Sequence, residues 1–132
     1  MGVSSFAGLT PIVRLVIKNP FSGAAYPSEG PLAAVVDTGY DGFLGVPGSV
    51  YRSLGLDEGL SASREGTVAD GKTIALRSSP AAAELYPDGA SFEGLVDTWE
   101  GMDEVIAGAK FLRRFKATLD YCSGVFRLSP CP

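Results

Sequence analysis

The chain reads as mostly β, with one short helix near its C-terminal end. Three observations lead there. Seventeen glycines and nine prolines are spread over 132 residues, enough turn formers to cut the chain into many short segments. The apolar runs between them are brief and rich in β-branched residues, as in Ile12-Val13-Arg14-Leu15-Val16-Ile17. Turn signals such as Asp70-Gly71 and Pro87-Asp88-Gly89 separate runs of strand character. The length and a hydrophobic content of 45% suit one folded domain over residues 1–132 with a core of its own.

The strand at 12–17 stops at Asn19-Pro20, and residues 23–31, with Pro27, Gly30 and Pro31, read as a loop. A second strand, 32–36, pairs antiparallel with the first and runs straight into Asp37. Phe43-Leu44-Gly45-Val46-Pro47 forms another short strand, and residues 49–56 give a helical turn or two ended by Gly55. Residues 66–76 form a hairpin around Asp70-Gly71, a dipeptide suited to a two-residue type I′ turn. That hairpin is either part of the core or a mobile arm. Strands at 81–86 and 91–97 follow. Ala109 to Phe115 is the best helix candidate, with Phe111, Leu112 and Phe115 on one face. A last hairpin, 116–121 with 125–128, turns at Cys122-Ser123-Gly124, and Pro130 and Pro132 keep the tail out of any central strand. One weak echo is visible: Val35-Val36-Asp37-Thr38-Gly39 and Val105-Ile106-Ala107-Gly108 each carry an apolar run into a glycine.

Composition excludes several classes of function. A net charge of −4 opposes nucleic-acid or anionic-membrane partners, which need a basic face. The one basic cluster, Lys110, Arg113, Arg114 and Lys116, reads as the solvated side of the helix. No apolar run is long enough to span a membrane, and residues 1–6 lack the pattern of a signal peptide, so a cytoplasmic location is expected. Histidine is absent, which removes Ser-His-Asp and Cys-His catalysis and the common zinc sites. Cys122 and Cys131 are too few for a disulfide framework and read as reduced structural thiols. Neither a metal nor a cofactor is expected; chemistry falls to carboxylates, hydroxyls, lysine or backbone groups.

Asp37 then stands out. Burying an unpaired carboxylate costs several kcal/mol or forces it to hold a proton, so an acid at the end of an apolar strand calls for a use. With Val36-Asp37-Thr38-Gly39, a hairpin near Asp70-Gly71, Val105-Ile106-Ala107-Gly108 before Phe111-Leu112-Arg113-Arg114-Phe115, and the closing 119–128 hairpin, the chain resembles the retroviral-type (retropepsin-like) aspartic proteases, in particular their single-domain cellular relatives in prokaryotes. The resemblance covers nearly the whole chain, from Ile12 to Leu128. It implies a closed, barrel-like acid protease fold, one lobe per chain, paired as a twofold homodimer.

The chemistry that the resemblance implies is peptide hydrolysis in which one carboxylate takes a proton from water while another gives a proton to the carbonyl oxygen. Two acids about 3 Å apart cannot both ionise and share one proton. The chain holds a single Asp-Thr-Gly, and Trp99 bars Asp97-Thr98-Trp99 from serving as a second, so Asp97-Thr98 reads as a strand end. A homodimer supplies the other acid, Asp37 of a second copy. The resemblance assigns catalysis to Asp37, support of its loop to Thr38 and Gly39, with Thr38 bonding across the interface, and a flap to Val68, Ala69, Asp70, Gly71 and Lys72. Phe43, Leu44 and Ile106, with Val68, are expected to line pockets for apolar side chains of a peptide or protein substrate.

The chain departs from that pattern in places. Tyr40-Asp41-Gly42 follows the motif where better-known members carry Ala-Ser or Ala-Asp; Asp41 reads as a surface turn residue, the alternative being that it raises the pKa of the dyad by like-charge repulsion. Ala109 stands where viral enzymes often place an arginine. The 129–132 tail is poor in strand formers, so a dimer sheet of interleaved termini is replaced or built differently. Two other readings remain open: a non-enzymatic dimerisation or peptide-binding module on the same fold, and a phosphate or metal loop in an α/β enzyme, for which long helices and a glycine-rich fingerprint are missing.

Overall fold

In a computed structural model describing residues 3–68 and 70–131, the chain opens with β1 (Ser4–Ala7) folded back on β2 (Thr10–Lys18). The expected strand at 12–17 is therefore longer at both ends and has an unforeseen neighbour. Along β2 the side chains alternate: Val13, Leu15 and Ile17 are buried, while Arg14 and Val16 between them are half-buried, the period-two pattern of a strand with one face on the core. β3 (Ala25–Tyr26) pairs with Ile17 and Lys18 inside the stretch read as a loop. β4 (Leu32–Val36) runs antiparallel to β2, with Val35 opposite Ile12. Ala34 and Val36 are buried and Ala33 is exposed, so this strand turns one face to the core.

β5 (Leu44–Gly45) and α1 (Gly48–Ser53) follow as expected, Pro47 preceding the helix and Gly55 turning the chain out of it at φ +69°. The described residues hold two helices where one was expected, because this turn of helix joins the C-terminal one. β6 (Ala62–Thr67) and β7 (Thr73–Leu85) form the central hairpin, with Thr67 opposite Thr73. Its turn differs from the type I′ expectation. Gly71 N–H donates to Val68 O at 2.9 Å and Gly71 takes φ +88°, but no described non-glycine residue has a positive φ. Type I′ needs both central residues there; Asp70 stays on the ordinary side, and its Oδ1 accepts from Lys72 N–H at 2.9 Å. The strand expected at 81–86 is the continuation of β7, which runs unbroken through Pro80. β8 (Ser91–Thr98) pairs along it from Arg77–Thr98 to Glu84–Ser91.

β9 (Ile106–Ala107) leads into α2 (Ala109–Leu112), shorter than the 109–115 helix expected, because Phe115 already begins β10 (Phe115–Asp120). β11 (Val125–Pro130) closes the last hairpin. The main sheet has the order β1-β2-β4-β9-β5-β8-β7-β6, with β3 beside β2, and a further β2–β7 pairing (Leu15 opposite Leu85) joins distant members of that path. β10 and β11 make a separate two-stranded sheet. One core cluster gathers side chains from most elements, among them Leu15, Leu44, Tyr51, Val96, Phe111 and Phe126. Burying each such side chain contributes roughly 1.5–3 kcal/mol. Cys122 and Cys131 are both free, in line with the reduced thiols expected, and both are exposed.

Candidate active site

Asp37 sits one residue beyond β4, and its placement is made almost wholly by backbone. The two echoing segments of the sequence lie side by side: β4 and β9 pair in parallel, Val35 opposite Ile106 and Val36 opposite Ala107. Asp37 N–H donates to Ala107 O at 2.9 Å, one step past the last paired residues. The loop after Asp37 then crosses the start of α2. Tyr40 O accepts from Ala109 N–H at 2.8 Å, Gly42 O from Lys110 N–H at 3.0 Å, and Phe43 O from Gly108 N–H at 3.0 Å. Helix starts leave N–H groups without intrahelical acceptors; here the carbonyls of the Asp37 loop supply them.

Gly108 makes this crossing possible. A Cβ at that position would run into the carbonyl oxygens of Tyr40 and Gly42 and the ring of Tyr40. Gly39 is tight as well, since a Cβ there would lie 3.2 Å from Asp37 Oδ1. That same Oδ1 accepts from Gly39 N–H at 2.9 Å, a turn local to the motif. Asp37, Thr38 and Gly39 are all exposed in the single chain. The acid expected to be buried thus stands at the surface of the single chain, with its backbone fixed.

Behind the loop lies a polar centre that the sequence did not reveal. Asp97, at the end of β8, is completely buried. Its carboxylate accepts from the Tyr40 hydroxyl and from the Ser78 hydroxyl, and Arg64 Nη2 donates to both oxygens at 2.8 and 2.7 Å. Arg64 Nε also donates to Ser78 Oγ at 2.8 Å. The centre ties four elements together: the loop after the motif, β6, β7 and β8. Burial raises the pKa of Tyr40, and the hydrogen bond to Asp97 raises it further; the bond to Asp97 likewise raises that of Arg64. The phenol therefore stays protonated and serves as a donor. The ring of Tyr40 also lies 5.7 Å from that of Trp99.

Asp97 is a strand end, as expected, but one with a task. The signal available in the sequence was an acid closing an apolar run at Leu95-Val96-Asp97, the same pattern that marked Asp37. Its partners lie 19, 33 and 57 residues away, and no local pattern links them. Tyr40 now has a reason to be where it is, and Asp41 is exposed in the turn beside it.

The other expected site residues fall in two places. Phe43, Leu44 and Ile106 belong to the interior: Phe43 packs on Phe111 at 5.8 Å between ring centres, and Leu44 is completely buried. Val68, Asp70, Gly71 and Lys72 form the tip of the β6–β7 hairpin, with Asp70, Gly71 and Lys72 exposed; Ala69 lies outside the described residues. A cleft of about 160 Å³ between α2 and β8 is lined by Phe43, Arg64, Glu93, Asp97, Lys110, Arg113 and Arg114 among others, and Asp37 is not part of it. The basic residues 110, 113, 114 and 116 are exposed, with Arg114 donating to Glu93 O at 2.9 Å and lying over Phe92. Among the described residues no group of three or more Cys, Asp or Glu side chains forms a metal site, and no helix is long and apolar enough to cross a membrane.

The chain is similar to an uncharacterized protein of the archaeon Archaeoglobus fulgidus, 37% identical over 127 residues that cover 96% of this chain and 98% of that protein. The two belong to one family. The match runs over nearly the whole of both chains. No family model and no solved structure matches the chain.

Proposed function

We propose that this chain is one half of an aspartic endopeptidase, a retropepsin-like homodimer in which the Asp37 carboxylates of two copies share the work. The observation that carries the reading is the state of Asp37: a carboxylate on a loop locked by backbone hydrogen bonds to β9 and α2, exposed, and bonded only to Gly39 N–H of its own motif among the described residues. A structural acid would be satisfied within its chain, as Asp97 is. The β2–β7 pairing that links distant strands of the main sheet is what a barrel-like lobe of that fold requires.

In the proposed reaction the ionised member of the pair accepts a proton from water, whose oxygen attacks the peptide carbonyl carbon. The protonated member donates its proton to the carbonyl oxygen, giving a neutral gem-diol. Collapse breaks the C–N bond: a diol proton returns to one carboxylate and the amine nitrogen takes a proton from the other, which restores the pair. Thr38 and Gly39 hold the loops at the interface, and the β6–β7 hairpin, with Val68 to Lys72 at its tip, covers an extended peptide.

The test is Asp37→Asn against a peptide library between pH 4 and 8, with dimerisation measured on the same samples. The variant should fold and associate like the parent and lose at least about a thousandfold in kcat/KM, and the parent should bind the statine inhibitor pepstatin. An Asn variant that cleaves as well as the parent overturns the mechanism. A parent that binds peptides and pepstatin to no measurable extent and cleaves none is the dimerisation module instead.

A further inference from the structure

The two-stranded sheet of β10 and β11 is unequally covered. Along β11 the outer edge is closed by β1: Ser4 Oγ donates to Phe126 O at 3.0 Å and accepts from Leu128 N–H at 3.3 Å. Along β10 the outer edge has no paired strand among the described residues. Its side chains show the same imbalance. Phe115, Ala117 and Leu119 lie on one face with their β11 partners Pro130, Leu128 and Phe126. Phe126 is buried and Leu128 half-buried, whereas Ala117 and Leu119 are exposed, Leu119 by 42%. The apolar face thus continues past its cover toward the open edge. Two strands alone make a marginal sheet, and an open edge is a template for pairing.

The sequence of that edge is complementary to itself. If two copies of Lys116-Ala117-Thr118-Leu119-Asp120 meet antiparallel with Thr118 on the twofold axis, Lys116 of each lies opposite the partner's Asp120. On the other face each Ala117 lies opposite the partner's Leu119, small against large. Cross-strand pairs of opposite charge and of apolar residues stabilise such a ladder, and like charges directly opposite destabilise it. Shifting the register by two residues in either direction sets a charged side chain against Thr118; one shift leaves Asp120 facing Arg114, which precedes β10 and already donates to Glu93 O, and the other leaves Lys116 facing Cys122 in the turn. The carboxylate of Asp120 is also prepared for the role: its bonds to Ser123, including Oδ1 to Ser123 N–H at 3.1 Å, hold its pKa below the usual carboxylate value.

We propose that β10 is the docking edge for a second copy of this chain, pairing about a twofold axis at Thr118 into a continuous sheet β11-β10-β10-β11. As a statement about the surface this rests on the edge and its self-complementarity; as a statement about the protease it rests on the homodimer reading above. The sheet is built from a hairpin within each chain, not from exchanged termini.

The experiment is cysteine crosslinking in a Cys122→Ser/Cys131→Ser background, followed by sedimentation of charge variants. Under mild oxidation Thr118→Cys should give a disulfide-linked dimer as the main product, because directly opposed positions bring Cβ atoms about 5 Å apart. Lys116→Cys should crosslink at least about tenfold more slowly, since its copy lies four residues along the ladder. Lys116→Glu should raise the dimer dissociation constant about tenfold, and Lys116→Glu with Asp120→Lys should restore it to within about threefold. Failure of Thr118→Cys to crosslink, equal rates at 116 and 118, or no rescue by the charge swap overturns the interface. Peptide cleavage is read separately. A Thr118-linked dimer that cleaves nothing leaves the interface standing and sinks the protease; an active enzyme that will not crosslink does the reverse.

Discussion

The hydroxyl of Tyr40 donates to the carboxylate of Asp97, joining the loop that carries Asp37 to a completely buried acid at the end of β8. A hydrogen bond to a buried charge contributes about 1.5–3 kcal/mol, so Tyr40→Phe should destabilise the fold by about 2 kcal/mol in urea unfolding. Arg64 is 43% exposed, and its ion pair alone would be screened by solvent, but it is the cation that faces Asp97. Tyr40 and Arg64 act on one carboxylate, so their substitutions should not add: a Tyr40→Phe/Arg64→Met cycle should show a coupling energy of about 1 kcal/mol or more. Strict additivity would mean that the centre does not behave as a unit.

Gly108 has φ −103°, which any residue tolerates, so its need for glycine is a matter of space alone. Gly108→Ala drives a methyl into two backbone carbonyls and the Tyr40 ring, none of which is a flexible side-chain end. The expected cost is about 3 kcal/mol. Amide exchange measured by NMR should quicken first at Ala109 and Lys110, whose N–H groups bond to the displaced loop. Protection unchanged at those two amides would show that the loop yields without opening.

Thr98 is buried, and its Oγ1 has no hydrogen-bond partner among the described residues. Leaving a buried hydroxyl unsatisfied costs about 1–3 kcal/mol. Thr98→Val keeps the branched shape and removes that group, so the variant should be more stable by about 1 kcal/mol, a rise of roughly 4 °C in Tm. A lower Tm would show that the hydroxyl contributes to stability in the folded chain and overturn the reading.

What could be read from the sequence was whatever is encoded locally. The strands of alternating burial, the end of α1 at Gly55 and the last hairpin lie where period and turn chemistry put them. The resemblance between 35–39 and 105–108 became a parallel strand pair, because two short apolar runs that each end in a glycine can pass close to one another. Long-range placement was not legible. β7 runs through Ser78, Ser79 and Pro80 because β8 and β2 pair with its second half, a tertiary demand that overrides a polar interruption. Asp37 draws notice in the sequence because its motif is contiguous. Asp97 was passed over because the groups that make sense of it come from three other elements. Phe43, Leu44 and Ile106 are buried in the single chain, and apolarity marks a core position as readily as a pocket wall.

Each chain brings one Asp37, and that carboxylate stands exposed when the chain is alone. Under the proposed function this sets a mass-action law on the enzyme: well below the dimer dissociation constant, halving the protein cuts the rate to roughly a quarter. Dilution then acts as an inhibitor without touching a single residue, and newly made chains remain harmless to their neighbours until enough of them have accumulated.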